Sequence, residues 1–327
     1  MTRKIALALG GGGMKGYTHI GVIRQLEREG FEITAVAGTS AGGIIGSLYC
    51  CGYSPNEIES FIETLDQRTL FGHEKGEEPA ILGLGGLLKL LKSKIGDRDF
   101  NNLHLPFLCT AVDVHSGSEI IMNSGKVIDA VQATSAMPGI FPAKIIGNLC
   151  LVDGGIFDPV PVAVARWMAP NLPVVAVCLS PAQENWDDLP HLQVPRNMPV
   201  PPSVVDTVFQ LRLGQALRIF IDSMDIMTNM LTELRLNIDK PDFILRPSIK
   251  EFAIFNDAQT SELVKRGENV VKSNIDSLTK IFSTRHTLSR WFKPSKLPGH
   301  LLSEIVTKNK LSSLENCKKS DQSTDTH

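Results

Sequence analysis

The sequence predicts an α/β fold, with a mostly parallel central sheet flanked by helices and a helical C-terminal extension. Three observations carry this. Short apolar runs alternate with amphipathic stretches through the first half of the chain, glycine-rich turns fall where the runs end, and long helical patterns replace the alternation beyond residue 204.

The elements follow in order. Ile5 to Leu9 is an apolar run that stops at Gly10-Gly-Gly-Gly13, and His19 to Glu29 then shows helical spacing, giving strand, glycine loop and helix. Ile33 to Ala37 is a second buried strand. It ends at Gly38-Thr39-Ser40-Ala41-Gly42, after which Ile44 to Cys51 reads as helix. Leu105 to Val114 and Glu119 to Met122 read as strands around a Ser-Gly turn, Val127 to Ser135 as helix and Leu149 to Val152 as strand. Val160 to Met168 is a helix and Val174 to Leu179 a strand. Residues 67–97 and 181–202 break the pattern; the second is rich in proline and reads as a loop. Helical patterns run from Val204 to Leu234 and from Thr260 to Phe282, and Ser312 to His327 are polar, without periodicity, and read as disordered.

Composition bounds the function. With 327 residues, 43% hydrophobic and 21% charged, the chain suits a globular protein with a substantial core. A net charge of −2 speaks against a dedicated nucleic-acid binder. The six cysteines lack metal-ligand spacing, and most lie in apolar stretches as small hydrophobes, so a reduced, cytoplasmic setting is expected. The Ile5–Leu9 run is short for a secretory leader, and no segment reaches the ~18 apolar residues of a membrane span. Peripheral contact with a membrane, and export that needs no leader, are both compatible with this sequence.

Three motifs carry chemistry. Gly38-Thr39-Ser40-Ala41-Gly42 is a G-x-S-x-G between strand and helix, where small neighbours let a serine occupy a tight turn above the sheet. The following helix turns its N-terminal N–H groups toward that point. Gly10-Gly-Gly-Gly13-Met14-Lys15-Gly16 brings backbone N–H groups close to a ligand oxygen, a phosphate or an oxyanion. A dinucleotide site would need an acidic residue at the end of the second strand, where Ala37-Gly38-Thr39-Ser40 stands instead. A Walker loop would need Gly-Lys-Ser/Thr, which is missing around Lys15. An oxyanion hole is therefore the favoured use. Asp153-Gly154-Gly155 places a carboxylate at a strand's C-terminal end, where open α/β sheets build their sites.

Gly-Gly-Gly-x-Lys-Gly, Gly-x-Ser-x-Gly and Asp-Gly-Gly, in this order and joined by Ala133-Thr-Ser-Ala-Met-Pro138, resemble the patatin-like phospholipase family, its compact bacterial members above all. The likeness runs from about Lys4 to Leu179 and more loosely to Pro241-Asp-Phe-Ile-Leu-Arg-Pro247. It implies a patatin-like acyl hydrolase domain over 1–282 with its motif core in 4–179, followed by a basic helical extension and tail over 283–327. It implies Ser40 as nucleophile and Asp153 as general base, and an oxyanion hole from the amides of Gly11, Gly12, Gly13 and Ala41. Lys15, Gly16, Gly38, Gly42, Gly154 and Gly155 would support the motifs. The implied substrate is a lipid ester (phospholipid, lysophospholipid or neutral lipid), cleaved through an acyl-enzyme with no cofactor and no metal. Acyl transfer to an alcohol would use the same dyad, and a catalytically silent acyl-lipid-binding regulator would keep the pocket without the turnover.

Other residues have plainer readings. His19 sits beside apolar Ile20 and Val22 and reads as a packing residue, Asp113 as a turn or cap residue, Ser135 as a shaper of the pocket and Asp158 as a turn residue. Two segments offer membrane contact: 81–94, an apolar stripe with lysines that reads first as a helix packed over the acyl pocket, and 283–311, rich in Arg and Lys around Trp291-Phe292, which reads as readily as a solvated helix face.

Overall fold

A computed structural model describes residues 2–64, 70, 72, 78–183, 212–249, 251–252, 260–283, 297 and 299–307. Strand β1 (Arg3–Leu9) leads through the glycine loop to α1 (Thr18–Arg28), β2 (Phe31–Gly38) and α2 (Ala41–Cys50). Helices α3 (Pro55–Glu63) and α4 (Gly85–Ile95) precede β3 (Phe107–Asp113), β4 (Ser118–Met122) and α5 (Val127–Thr134). Then come β5 (Lys144–Ile146), β6 (Leu149–Asp153), α6 (Val162–Met168), β7 (Val174–Val177), α7 (Arg212–Asp239), β8 (Phe243–Leu245), α8 (Thr260–Lys280) and β9 (His300–Leu301).

The sheet order is β5-β6-β3-β2-β1-β7-β8, with β4 against β3 and β9 against β4. The β1, β2, β3, β7 and β8 neighbours are parallel, whereas β3 pairs antiparallel with β4 and β6, and β6 with β5. The expected mixed fold with a mostly parallel sheet is present. Strand β1 shows why both faces are covered. Ile5, Leu7 and Leu9 join the core under α1 and α8, while Ala6 and Ala8 face the cluster of Val162, Val164 and Ala165 on α6. Successive strand residues point to opposite faces, so large residues fill one side and alanines admit a helix closely on the other.

Helix α3 was not foreseen. Ser54 accepts from the Glu57 N–H while the Glu57 carboxylate accepts from the Ser54 N–H, with Pro55 at the first helical position. That capping box is written in Ser54-Pro55-Asn56-Glu57. The extension beginning at 283 is partly a piece of the main sheet, since β9 runs parallel to β4 and Leu302 is buried in the core. The loop expected at 181–202 lies largely outside the described residues, as do 204–211 of the predicted long helix, the basic cluster of 283–296 and the tail from 312.

Helices α1 and α8 cross at two glycines. A Cβ on Gly267 would fall on the Thr18 carbonyl, and one on Gly21 would fall on the Val264 carbonyl. Arg24 and Arg28 of α1 pair with Glu268 of α8 beside the crossing, each at 3.3 Å. Gly267→Ala should therefore destabilise the protein by about 2 kcal/mol or more in urea unfolding, because backbone must move to admit the methyl. Gly147→Ala, at φ 58° in open space, should cost about 1 kcal/mol through backbone strain alone. Equal losses would contradict the close-crossing explanation.

Candidate active site

Strand β3 brings the serine and the aspartate together. Gly38 of β2 pairs with Cys109, and Asp153 of β6 pairs with Ala111. The two strand ends therefore abut β3 two residues apart, roughly 7 Å. Between them, the Thr39 hydroxyl donates to the Asp158 carbonyl at 2.9 Å and lies 2.7 Å from the Thr110 hydroxyl, which must then be the donor of that pair. The Thr39 N–H donates to the Leu9 carbonyl at 3.0 Å, tying the turn to β1.

Ser40 itself has φ 54° and ψ −122°, a left-handed conformation that non-glycine residues adopt only under constraint, at a cost of about 1–3 kcal/mol. The constraint is close backbone packing. A Cβ on Gly42 would fall on the Leu9 carbonyl, and one on Gly38 would sit 2.6 Å from the Gly42 carbonyl oxygen and the Gly43 nitrogen. Gly16 meets the Ala41 side chain in the same way. The Ser40 N–H donates to Thr134 Oγ1 at 2.9 Å, which fixes the turn from the other side.

Asp153 is buried, and its own N–H donates to the Ala136 carbonyl at 2.9 Å. Its Oδ1 accepts from the Gly155 N–H at 2.8 Å, and the Ser40 hydroxyl lies near enough to its carboxylate to favour the charged form. Burial pushes the carboxyl pKa up to about 6, against the opposing effect of the Ser40 hydroxyl and the Gly155 N–H. Gly154 is required because a Cβ there would fall on Thr110. The block Ala133-Thr-Ser-Ala-Met-Pro138 thus touches both arms of the site, through Thr134 and Ala136. Its motif was recognisable in the sequence, but those two contacts were not.

The glycine loop lies against the same point. Gly10 donates its N–H to Val177 and Gly11 to Pro159, each at 3.0 Å, and a Cβ on Gly11 would be 3.2 Å from the Ser40 Cβ. The Gly11 amide, expected to contribute to an oxyanion hole, is already committed. Among the described residues the N–H groups of Gly12, Gly13 and Ala41 have no hydrogen-bond partner. His19 is fully buried and donates Nε2–H to the Gly10 carbonyl at 2.8 Å. Burial holds its pKa down at about 4, so the ring is neutral and pins the loop. Lys15 is half-buried; burial lowers its pKa, and the carboxylate of Asp225 on α7 opposes that shift.

Ser40 opens on an apolar cavity whose empty space, mouth included, is about 820 Å³. Its floor is one face of α2, with Ser40, Ile44 and Leu48 at successive turns, an axial rise of roughly 12 Å. Leu84, Leu87 and Leu91 form the opposite wall, so the apolar side of 81–94 packs over the cavity. Ser135 also lines it, its hydroxyl without a partner among the described residues. Asp113 stands apart as a turn cap. Burial would raise its pKa, but bonds from the Ser116 hydroxyl and from the Cys150 and Ser116 N–H groups hold it below the usual range. Asp158 is more than a turn residue: it is fully buried and paired with Arg235 of α7 at 3.2 Å.

Comparison with known proteins follows the same outline. Residues 7–166 match the family model described as patatin-like phospholipase. An uncharacterized NTE family protein of Mycobacterium tuberculosis is 33% identical over 165 residues, 49% of this chain and 45% of that protein. The protein named Lysophospholipase NTE1 of Candida albicans is 26% identical over 167 residues, 48% of this chain and 12% of that protein. The chain spans less than half the length of these curated relatives. The crystal structure of VipD from Legionella pneumophila shares the fold, with a TM-score of 0.50 at 15% identity over 84% of this chain and 67% of that one. Over residues 7–166 the chain therefore matches the patatin-like phospholipase family.

Proposed function

We propose that the protein is a serine-dependent lipid acyl hydrolase in which Ser40 is the nucleophile and Asp153 the general base. The observation that carries this is the placing of the Ser40 hydroxyl beside the buried Asp153 carboxylate at the head of an apolar cavity. Asp153 takes the hydroxyl proton as Ser40 Oγ attacks the ester carbonyl carbon. The oxyanion is met by the amides of Gly12, Gly13 and Ala41 at the N-terminus of α2. Collapse breaks the ester C–O bond, the alcohol leaves with the proton held by Asp153, and the acyl chain stays on Ser40 along the α2 floor. Water then attacks with Asp153 again taking a proton, and free fatty acid and Ser40 are released. Support also comes from the name Lysophospholipase carried by the Candida albicans relative.

Fatty acid release from phospholipid, lysophospholipid and p-nitrophenyl esters tests this. Ser40→Ala and Asp153→Asn should each lower kcat about a thousandfold or more while the protein stays folded. Wild-type turnover in Ser40→Ala, or no labelling of Ser40 by a fluorophosphonate, would sink the mechanism. Because the base must be ionised, kcat/KM should rise with pH and level off above about 6. A profile flat from pH 4 to pH 8 would remove Asp153 from the role.

Burial of Asp153 predicts a separate effect on stability. The folded carboxyl, with its pKa near 6, holds its proton more tightly than the unfolded one near 3.9. Stability is therefore lost as pH rises from about 4 to about 6 and stays reduced above that. Asp153→Asn, which keeps the group neutral, should be more stable than wild type by about 1–3 kcal/mol at pH 8, with the difference closing near pH 4. Urea unfolding at the two pH values measures it, and a variant weaker than wild type at pH 8 would contradict the burial cost.

A further inference from the structure

Helix α7 wears its apolar side chains on the outside. Ile219, Ile226, Met227, Met230, Leu234 and Ile238 are each between 44% and 66% exposed and fall on one face. From Ile219 to Ile238 the stripe runs roughly 28 Å. A contiguous exposed apolar surface of this extent marks a binding face. Its position is specific. On the inner side of the same helix, Ile221 packs against Leu84 and Phe141 of the cavity wall, and Asp225 faces Lys15 of the glycine loop. Further along, Arg235 lies over the ring of Phe157 at 5.9 Å, and Phe157, four residues after Asp153, is itself 39% exposed. The helix therefore spans from the cavity wall to the loop that follows the aspartate.

We propose that the outer face of α7 docks the protein onto an electrically neutral lipid–water interface. The proposal rests on the acyl hydrolase reading above, since it gives an acyl chain an apolar path from a lipid phase to the cavity. Charge selects the partner. Between Ile219 and Ile238 the sequence has a single cation, Arg235, and it turns inward to Asp158, so the stripe carries no positive charge to meet anionic headgroups. Zwitterionic lipid needs none. Segment 81–94 does not compete for the role, because Leu84, Leu87 and Leu91 are turned to the cavity.

Vesicle binding tests the proposal independently of turnover. Ser40→Ala protein is sedimented with phosphatidylcholine vesicles, with and without phosphatidylserine and at low and high salt. It should bind phosphatidylcholine alone, with no gain from the anionic lipid and no loss at about 0.5 M salt. Adding Ile226→Gln, Met230→Gln and Leu234→Gln should lower partitioning about tenfold or more, with circular dichroism unchanged. In the active background the same three substitutions should leave hydrolysis of a short water-soluble ester intact. Unchanged partitioning, binding that requires phosphatidylserine, or a wild-type dimer split by the substitutions would each overturn the proposal, the last by making a second copy the occupant. Absent ester turnover with intact vesicle binding would instead count against the hydrolase reading alone.

Discussion

The close approach of α2 to the ends of β1 and β2 is the constraint on which the site depends. Residues Gly38 and Gly42 are small because backbone occupies the space their side chains would take: the Gly42 carbonyl and Gly43 nitrogen for one, the Leu9 carbonyl for the other. A turn this tight forces Ser40 into a left-handed conformation. The cost is offset by a set of fixed partners: Leu9 for the Thr39 N–H, Thr134 for the Ser40 N–H, and the Thr110 and Asp158 contacts of the Thr39 hydroxyl. Loosening any one of them would let Ser40 relax toward an ordinary helical or extended backbone and swing its hydroxyl away from Asp153.

The aspartate side is built on a different principle. Asp153 is held by β-sheet register and made more basic by burial. For the chemistry proposed for it, an exposed carboxylate near pH 4 would be a weak base, and burial to about 6 brings its proton affinity closer to working pH. The histidine nearest to Ser40 in the sequence works oppositely. His19 is buried so completely that it stays neutral down to about pH 4, and its Nε2–H is spent on the Gly10 carbonyl. It shapes the loop that would receive an oxyanion without sharing in proton transfer.

How much of this was legible in the sequence depended on the range of the interaction. Strand-then-glycine patterns located β1, β2 and β6 to within a few residues, because a buried parallel strand must be apolar and must stop at a turn. The same logic put Ser40 and Asp153 at the right ends of their strands. What it could not reveal was register. Only the pairing of Gly38 with Cys109 and of Asp153 with Ala111 brings the two motifs together, and no local pattern encodes that. The commitment of the Gly11 amide to Pro159 and the buried pair of Asp158 with Arg235 were hidden for the same reason, each joining residues far apart in the chain. Helix α3 differs, since its capping box is local and could have been read.

Helix α7 shows where a sound rule yields to a stronger one. Periodicity would turn the stripe of Ile226, Met230, Leu234 and Ile238 toward the core, as amphipathic helices usually do. The opposite face, however, carries Asp225 and Arg235, and the body of the protein presents half-buried Lys15 and fully buried Asp158 to them. Leaving a buried charge without its partner costs about 3–5 kcal/mol. Exposing one aliphatic side chain costs about 1.5–3 kcal/mol. The buried pair of Arg235 with Asp158 and the attraction of Asp225 to Lys15 therefore set its rotation, with Ile221 and Leu236 supplying apolar contact on the same side. The apolar stripe faces outward because the polar residues of the helix are needed inside, and that leaves the most hydrophobic face of α7 open for another surface to cover.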